Sequence, residues 1–128
     1  IAVDRNKRNS AMRSLEKAKE ELGKGWSIII FPEGGIPDDA PKLNKFKNGA
    51  FRMAIESGAS ILPITILDNW RLFSTNPLIS GFARPGKTRV IIHEPILTAK
   101  LDKKDLVDLR EETFNTINQQ LLADSLNK

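Results

Sequence analysis

Hydrophobic and polar positions along this chain switch between two periods. Ala11, Met12, Leu15, Ala18 and Leu22 recur at helical spacing, with Arg13, Glu16, Lys17, Lys19, Glu20 and Glu21 between them. That pattern predicts an amphipathic helix lying against a sheet, with Gly23 as its C-cap. The apolar run Trp26–Phe31 predicts a strand buried on both faces. A polar, proline-bearing loop runs from Pro32 to about Lys45, a length that is usually functional or mobile in a compact domain. A second helix is predicted over Lys47–Ser57, with Phe51, Ala54 and Ile55 as its buried face and Gly58 as its stop. Ser60–Leu67 then reads as a strand. Strand, helix and strand in that order predict parallel pairing through a right-handed crossover.

Beyond Leu67 the period fades. Asp68–Lys87 carries Trp70, Phe73, Pro77, Phe82 and Pro85 without regular spacing. It reads either as an irregular connection over the sheet edge or as a lipid-facing flap. Thr88–His93 predicts a further strand. A last helix is expected to start near an Asp102 N-cap, with Asp105 in its first turn. It runs through Leu106, Leu109, Phe114, Ile117, Leu121 and Leu122, a packing helix with no chemistry on it. The whole chain, residues 1–128, is thus expected to be one α/β domain: a mostly parallel central sheet flanked by helices, incomplete at its N-terminal side.

Composition narrows the function. There is no cysteine, so neither a disulfide framework nor a thiolate metal site is possible. The apolar runs are far shorter than the roughly 20 residues a membrane-spanning helix needs. Lys and Arg number 20 against 16 Asp and Glu, a net charge of +4. That balance suits anionic partners such as phosphate esters or anionic lipid headgroups. Nucleic acid is disfavoured as a partner, because no basic stripe is interleaved with aromatics. His93, the only histidine, has neither a second histidine nor an acid five positions on, where Thr98 stands. Its expected role is structural, and no metal site is predicted.

The densest chemistry lies at Phe31-Pro32-Glu33-Gly34-Gly35. Pro32 cannot continue a strand ladder, so Glu33 leaves the sheet at the C-terminal edge where ligands bind in open α/β folds. Two glycines follow and allow backbone to approach a ligand closely. Read from the residues alone, the same stretch is equally a strand, a tight turn and one solvated acid.

The Phe-Pro-Glu-Gly core resembles the third signature block of the glycerolipid acyltransferases. Three more elements follow that family's order. Asp4-Arg5 resembles the end of the second block, whose arginine contacts the acceptor phosphate. Phe46-Lys47-Asn48-Gly49-Ala50 resembles the Lys-x-Gly element, and Ile61-Leu62-Pro63-Ile64 the fourth block. The resemblance covers about Ile1 to Ile96. It implies transfer of a fatty acyl group from acyl-CoA or acyl carrier protein to a lysophospholipid such as 1-acyl-glycerol-3-phosphate. It also implies a membrane surface as partner, a peripheral location on the cytoplasmic side of the membrane, and no cofactor. Arg5 and Lys47 become expected phosphate contacts: arginine presents a planar fork to two phosphate oxygens, and a lysine at a helix start adds its charge to the macrodipole. Glu33, the catalytic candidate, becomes an acceptor for the glycerol hydroxyl or an anchor for the basic residues. Asp4 orients the turn or pairs with neighbours of Arg5. Gly34 and Gly49 provide close backbone approach, and Pro63 shapes the site from below.

Two departures stand out. Where the family continues Glu-Gly-Thr-Arg-Ser, this chain has Gly35-Ile36-Pro37-Asp38-Asp39, so one phosphate-contacting arginine is missing. The family's first block, a histidine and an aspartate five positions later, is also missing. The chain opens on Ile1 inside an expected strand, so it is read as the C-terminal portion of a longer acyltransferase. The front half would carry the His/Asp pair and any membrane anchor. A non-catalytic module that binds phospholipid headgroups or a membrane surface is the alternative.

Overall fold

The helical periods become helices close to where the pattern puts them. In the computed structural model, which describes residues 8–35, 41–72 and 83–126, α1 spans Arg8–Gly23 and α2 spans Asn48–Ser57. β1 is Ile64–Ile66, α3 is the short helix Asn69–Leu72, β2 is Val90–Ile92, and α4 is Leu106–Leu126. Helix α2 packs between α1 and α4, and α4 also lies against β1.

Local chemistry sets the helix ends. α2 stops at Gly58, whose φ of 65° is the left-handed conformation a glycine adopts without strain, and its N–H returns to the carbonyls of Ala54 and Ile55. The stop of α1 falls later than expected. Gly23 is still helical, and the left-handed residue is Gly25, at φ 87°, whose N–H reaches the Leu22 carbonyl. The turn before α4 is held reciprocally. The Asp102 carboxylate accepts the Lys104 N–H at 2.7 Å, and the Asp105 carboxylate accepts the Asp102 N–H at 2.7 Å.

The core is built around three aromatic rings. Phe51 of α2 is 2% exposed and stacks on Phe46 with ring centroids 6.2 Å apart. Phe114 of α4 meets the Phe46 ring edge-on at 5.1 Å. Leu109 is buried with them, and Leu43, Ile55, Ile61, Ile96 and Leu101 pack around the cluster. The fully buried Thr98 hydroxyl lies 3.1 Å and 3.0 Å from the carbonyls of Ala54 and Ala59, and so joins the end of α2 to the segment after β2.

The sheet differs from the expectation. β1 and β2 pair antiparallel, with Ile64 opposite Ile92, Thr65 opposite Ile91 and Ile66 opposite Val90, and a single bridge joins Ile61 to Ile96. Among the described residues this antiparallel pair is the whole sheet, in place of the mostly parallel sheet expected. Trp26–Phe31 forms no ladder, and its side chains face solvent: Trp26 is 67% exposed, Ile29 82% and Phe31 74%. The reason is physical. An apolar run states that a segment is suited to burial, while direction and partner depend on which strand lies alongside. Ile64 and Ile92 share the exposed face of the hairpin, and the buried Thr65 lies on the other.

His93 serves this hairpin. Its N–H donates to the Pro63 carbonyl at 3.0 Å, and its Nε2 shares a 2.8 Å hydrogen bond with the buried Thr65 hydroxyl. At the other end Arg89 grips two carboxylates. Its Nε and Nη2 donate to Asp68 at 2.8 Å each, and its Nη1 donates to Asp124 near the end of α4 at 2.7 Å. These bonds, that to Asp68 foremost, raise the guanidinium's pKa above its ordinary value. The group therefore stays cationic at every pH the fold survives.

Replacing Phe51 with alanine should cost about 3–5 kcal/mol in urea unfolding, because it empties the centre of the aromatic cluster. Gly58→Ala should cost about 1–2 kcal/mol in the same series, the penalty for an L-residue in the left-handed region. Arg89→Gln should lower the melting temperature and speed amide exchange in the last turns of α4 while leaving α2 unchanged. Equal exchange in both helices would show that the clamp does not hold α4.

Candidate functional site

Proline, acid and glycine at 32–34 make a turn that meets the start of α2. Lys47 is the N-cap of α2, in extended conformation at φ −83° and ψ 144°, and its N–H donates to the Pro32 carbonyl at 2.8 Å. Lysine has no side-chain oxygen with which to cap the helix, so the first amides of α2 gain no side-chain acceptor from it. Gly34 has φ 74°, and a methyl group built on it would stand 3.3 Å from Lys47 Cε. The lysine stem therefore lies across the glycine, and the left-handed backbone there favours a residue without Cβ.

Glu33 is tied to the same loop. Its Oε2 accepts the Asn44 N–H at 2.9 Å. The carboxylate thus bridges the turn to the segment that delivers Lys47. Phe46, 6% exposed, plugs into the core one residue before Lys47, so Lys47 stays at the surface at the mouth of the helix. The turn, the loop and the α2 N-terminus are held together by two backbone-directed bonds and one buried ring.

Of the remaining candidates, the described ones have other partners. Gly49 is turned to α1, where a methyl group would stand 2.9 Å from Leu15 Cδ1. Its missing side chain lets α1 rest against the first turn of α2. Pro63 is buried below the hairpin and presents its carbonyl to His93. Asp4 and Arg5 lie outside the described residues, as does Ile36, where the family's arginine would stand.

Arg110 is a residue the pattern of the chain did not suggest. It projects from α4, read above as a helix without chemistry, and its Nη1 donates to Asn48 Oδ1 at 2.7 Å. Its Nε and Nη2 rest on Glu111 Oε1 at 3.2 Å and 2.9 Å. Sixty-two positions separate Arg110 from Asn48, and no spacing rule for a single sequence connects them. The arrangement gathers two cations, Lys47 and Arg110, at the positive end of a helix that has no acid in its first turn. Such an end attracts an anion. No cluster of three potential metal ligands occurs among the described residues, and no described helix is long and apolar enough to cross a membrane.

Comparison with known proteins agrees with this geometry. The model of the acyltransferase family matches residues 1–67, which include the turn at Glu33 and the start of α2. A chloroplastic 1-acyl-sn-glycerol-3-phosphate acyltransferase of Arabidopsis thaliana is 35% identical over 102 residues, 80% of this chain and 28% of its own length. The alpha form of the mouse enzyme is 28% identical over 130 residues, covering 98% of this chain and 45% of its own. The crystal structure of the 1-acyl-sn-glycerophosphate acyltransferase from Thermotoga maritima superposes with a TM-score of 0.74 at 27% identity, over 88% of this chain and 44% of that one. The chain spans less than half the length of each of these relatives. With a family model over more than half of its residues and the Glu-Gly turn seated on the Lys47 helix start, the chain belongs to the glycerolipid acyltransferase family.

Proposed function

We propose that the protein to which this chain belongs transfers a fatty acyl group from an acyl-CoA or acyl carrier protein thioester to 1-acyl-glycerol-3-phosphate, at the cytoplasmic face of a membrane. The observation that carries the reading is the junction of the Glu33–Gly34 turn with the Lys47 start of α2. A phosphomonoester carries close to two negative charges, and this junction combines a lysine, the positive end of a helix and a nearby guanidinium. By the family resemblance, Arg5 supplies a planar fork to the phosphate. Several relatives bear the name 1-acyl-sn-glycerol-3-phosphate acyltransferase, which supports this acceptor.

In the reaction the acceptor hydroxyl attacks the thioester carbonyl. A new C–O bond forms, the C–S bond breaks, and the hydroxyl proton ends on the departing thiol. By the family pattern a histidine oriented by an aspartate takes that proton, and residues 1–128 hold no such pair. The part assigned to this chain is therefore to bind and orient the acceptor. Lys47 and Arg5 hold the phosphate, Asp4 orients the turn or pairs with neighbours of Arg5, and Pro63 shapes the site from below. Glu33 keeps the turn, and through it the glycerol hydroxyl, in register. The second reading is a non-catalytic module that binds phospholipid headgroups or a membrane surface. The coding sequence upstream of Ile1 separates the two: a histidine with an aspartate five positions later belongs only to the enzyme.

The 128-residue chain alone should release no thiol from acyl-CoA in the presence of 1-acyl-glycerol-3-phosphate. Acceptor-dependent release would overturn the assignment of roles. In the intact protein, Arg5→Ala should raise KM for the lysophospholipid by the equivalent of about 2 kcal/mol with little change in kcat, since charge-assisted hydrogen bonds contribute about 1.5–3 kcal/mol in both ground and transition states. Glu33→Ala should instead lower kcat, roughly a hundredfold, because a small misplacement of the hydroxyl is enough for that loss. A Glu33→Ala enzyme changed only in KM would make the carboxylate part of the binding scaffold alone.

A further inference from the structure

We propose that Arg110 is a positioning residue for the acceptor's phosphate group, acting through Asn48 on the start of α2. The inference rests on the acceptor-site reading above and assigns a role to a helix that carries none of the family's motifs.

Arginine has donors only, so the oxygen of the Asn48 amide must be the atom that faces it at 2.7 Å. That contact fixes the side-chain rotamer of the first residue of α2, directly after Lys47. The guanidinium is itself held by Glu111 through Nε and Nη2, which leaves Nη1 for Asn48. Glu111 thus orients the fork and Asn48 receives it. The link runs from α4, one residue beyond the buried Leu109, to the mouth of α2. Pro32 and Glu33 hold the same junction through the N–H groups of Lys47 and Asn44. The helix start is therefore held by contacts from two elements, and Arg110 supplies the one from α4.

Charge supports the assignment. A guanidinium beside the N-terminus of a helix opposes the macrodipole, and Lys47 adds a second cation there. The ion pair with Glu111 offsets that cost, so Arg110 can hold Asn48 at the helix start without itself touching the phosphate. Asn48 transmits the position of Arg110 to the residue that follows Lys47.

The experiment uses the 15N-labelled chain titrated with glycerol 3-phosphate, the soluble headgroup, with the amides of Lys47, Asn48 and Gly49 as reporters. Lys47→Ala should abolish their response. Arg110→Ala and Asn48→Ala should each weaken binding about tenfold, in the range expected for one charged hydrogen bond. The double variant should be no weaker than either single one, because both remove the same link. Arg110→Lys, which keeps charge, reach and a donor, should recover most of the affinity. Unshifted amides elsewhere in α4 would establish that the variants keep their fold. Arg110→Ala binding within twofold of wild type, with Lys47→Ala still inactive, would overturn the role of Arg110 and leave the acceptor site intact. Loss on Arg110→Ala without loss on Asn48→Ala would also overturn it, since the arginine would then touch the phosphate directly. A wild-type chain whose three amides do not respond would overturn the acceptor site, and this proposal with it.

Discussion

The arrangement depends on one buried ring. Phe46 belongs to no helix or strand, yet it lies between Phe51 of α2 and Phe114 of α4 and joins the two helices into one core. Burying such a side chain contributes on the order of 2–3 kcal/mol, more than any hydrogen bond in the loop around it. Because the next residue is Lys47, that burial also fixes the place of a surface cation. An apolar anchor and a charged neighbour are obliged to part company, one inward and one outward, and the helix start forms where they do.

The turn at Pro32–Gly34 exploits the position so created. Glu33 and the Pro32 carbonyl accept backbone donors from the loop, and Gly34 leaves room for the lysine stem. Each contact alone is modest. Together they make the junction the point where three segments distant in sequence converge, with cations and helix amides on one side. The helix that closes it, α4, is held at its start by the reciprocal Asp102–Asp105 turn and near its end by Arg89. Structural residues of this kind lie far from the family's motifs and still determine where those motifs sit.

The hairpin carries a different lesson. Its Ile64–Ile92 face and the Trp26–Phe31 segment are apolar and open to solvent, whereas apolar patches on folded proteins are ordinarily small or engaged. The relatives to which this chain is similar are more than twice its length. Residues that read as a buried strand are thus exposed among the described residues.

What the sequence determined by itself was local. Helical spacing located α1, α2 and α4, since an amphipathic period needs only its own residues, and Gly58 marked the end of α2 because only glycine enters the left-handed region at low cost. The Phe-Pro-Glu-Gly and Lys-x-Gly elements were legible for the same reason, as short runs of special residues. Strand direction was not. The alternation in Thr88–His93 says which side chains can be buried, and the antiparallel partner of β2 was settled only when β1 came alongside. Nor could one chain reveal that Arg110 meets Asn48, that Gly49 makes room for Leu15, or that Phe46 is the hub of the core. Those are meetings between segments far apart in sequence, and they are decided by the tertiary fold because a side chain's spacing encodes its face, not its partner.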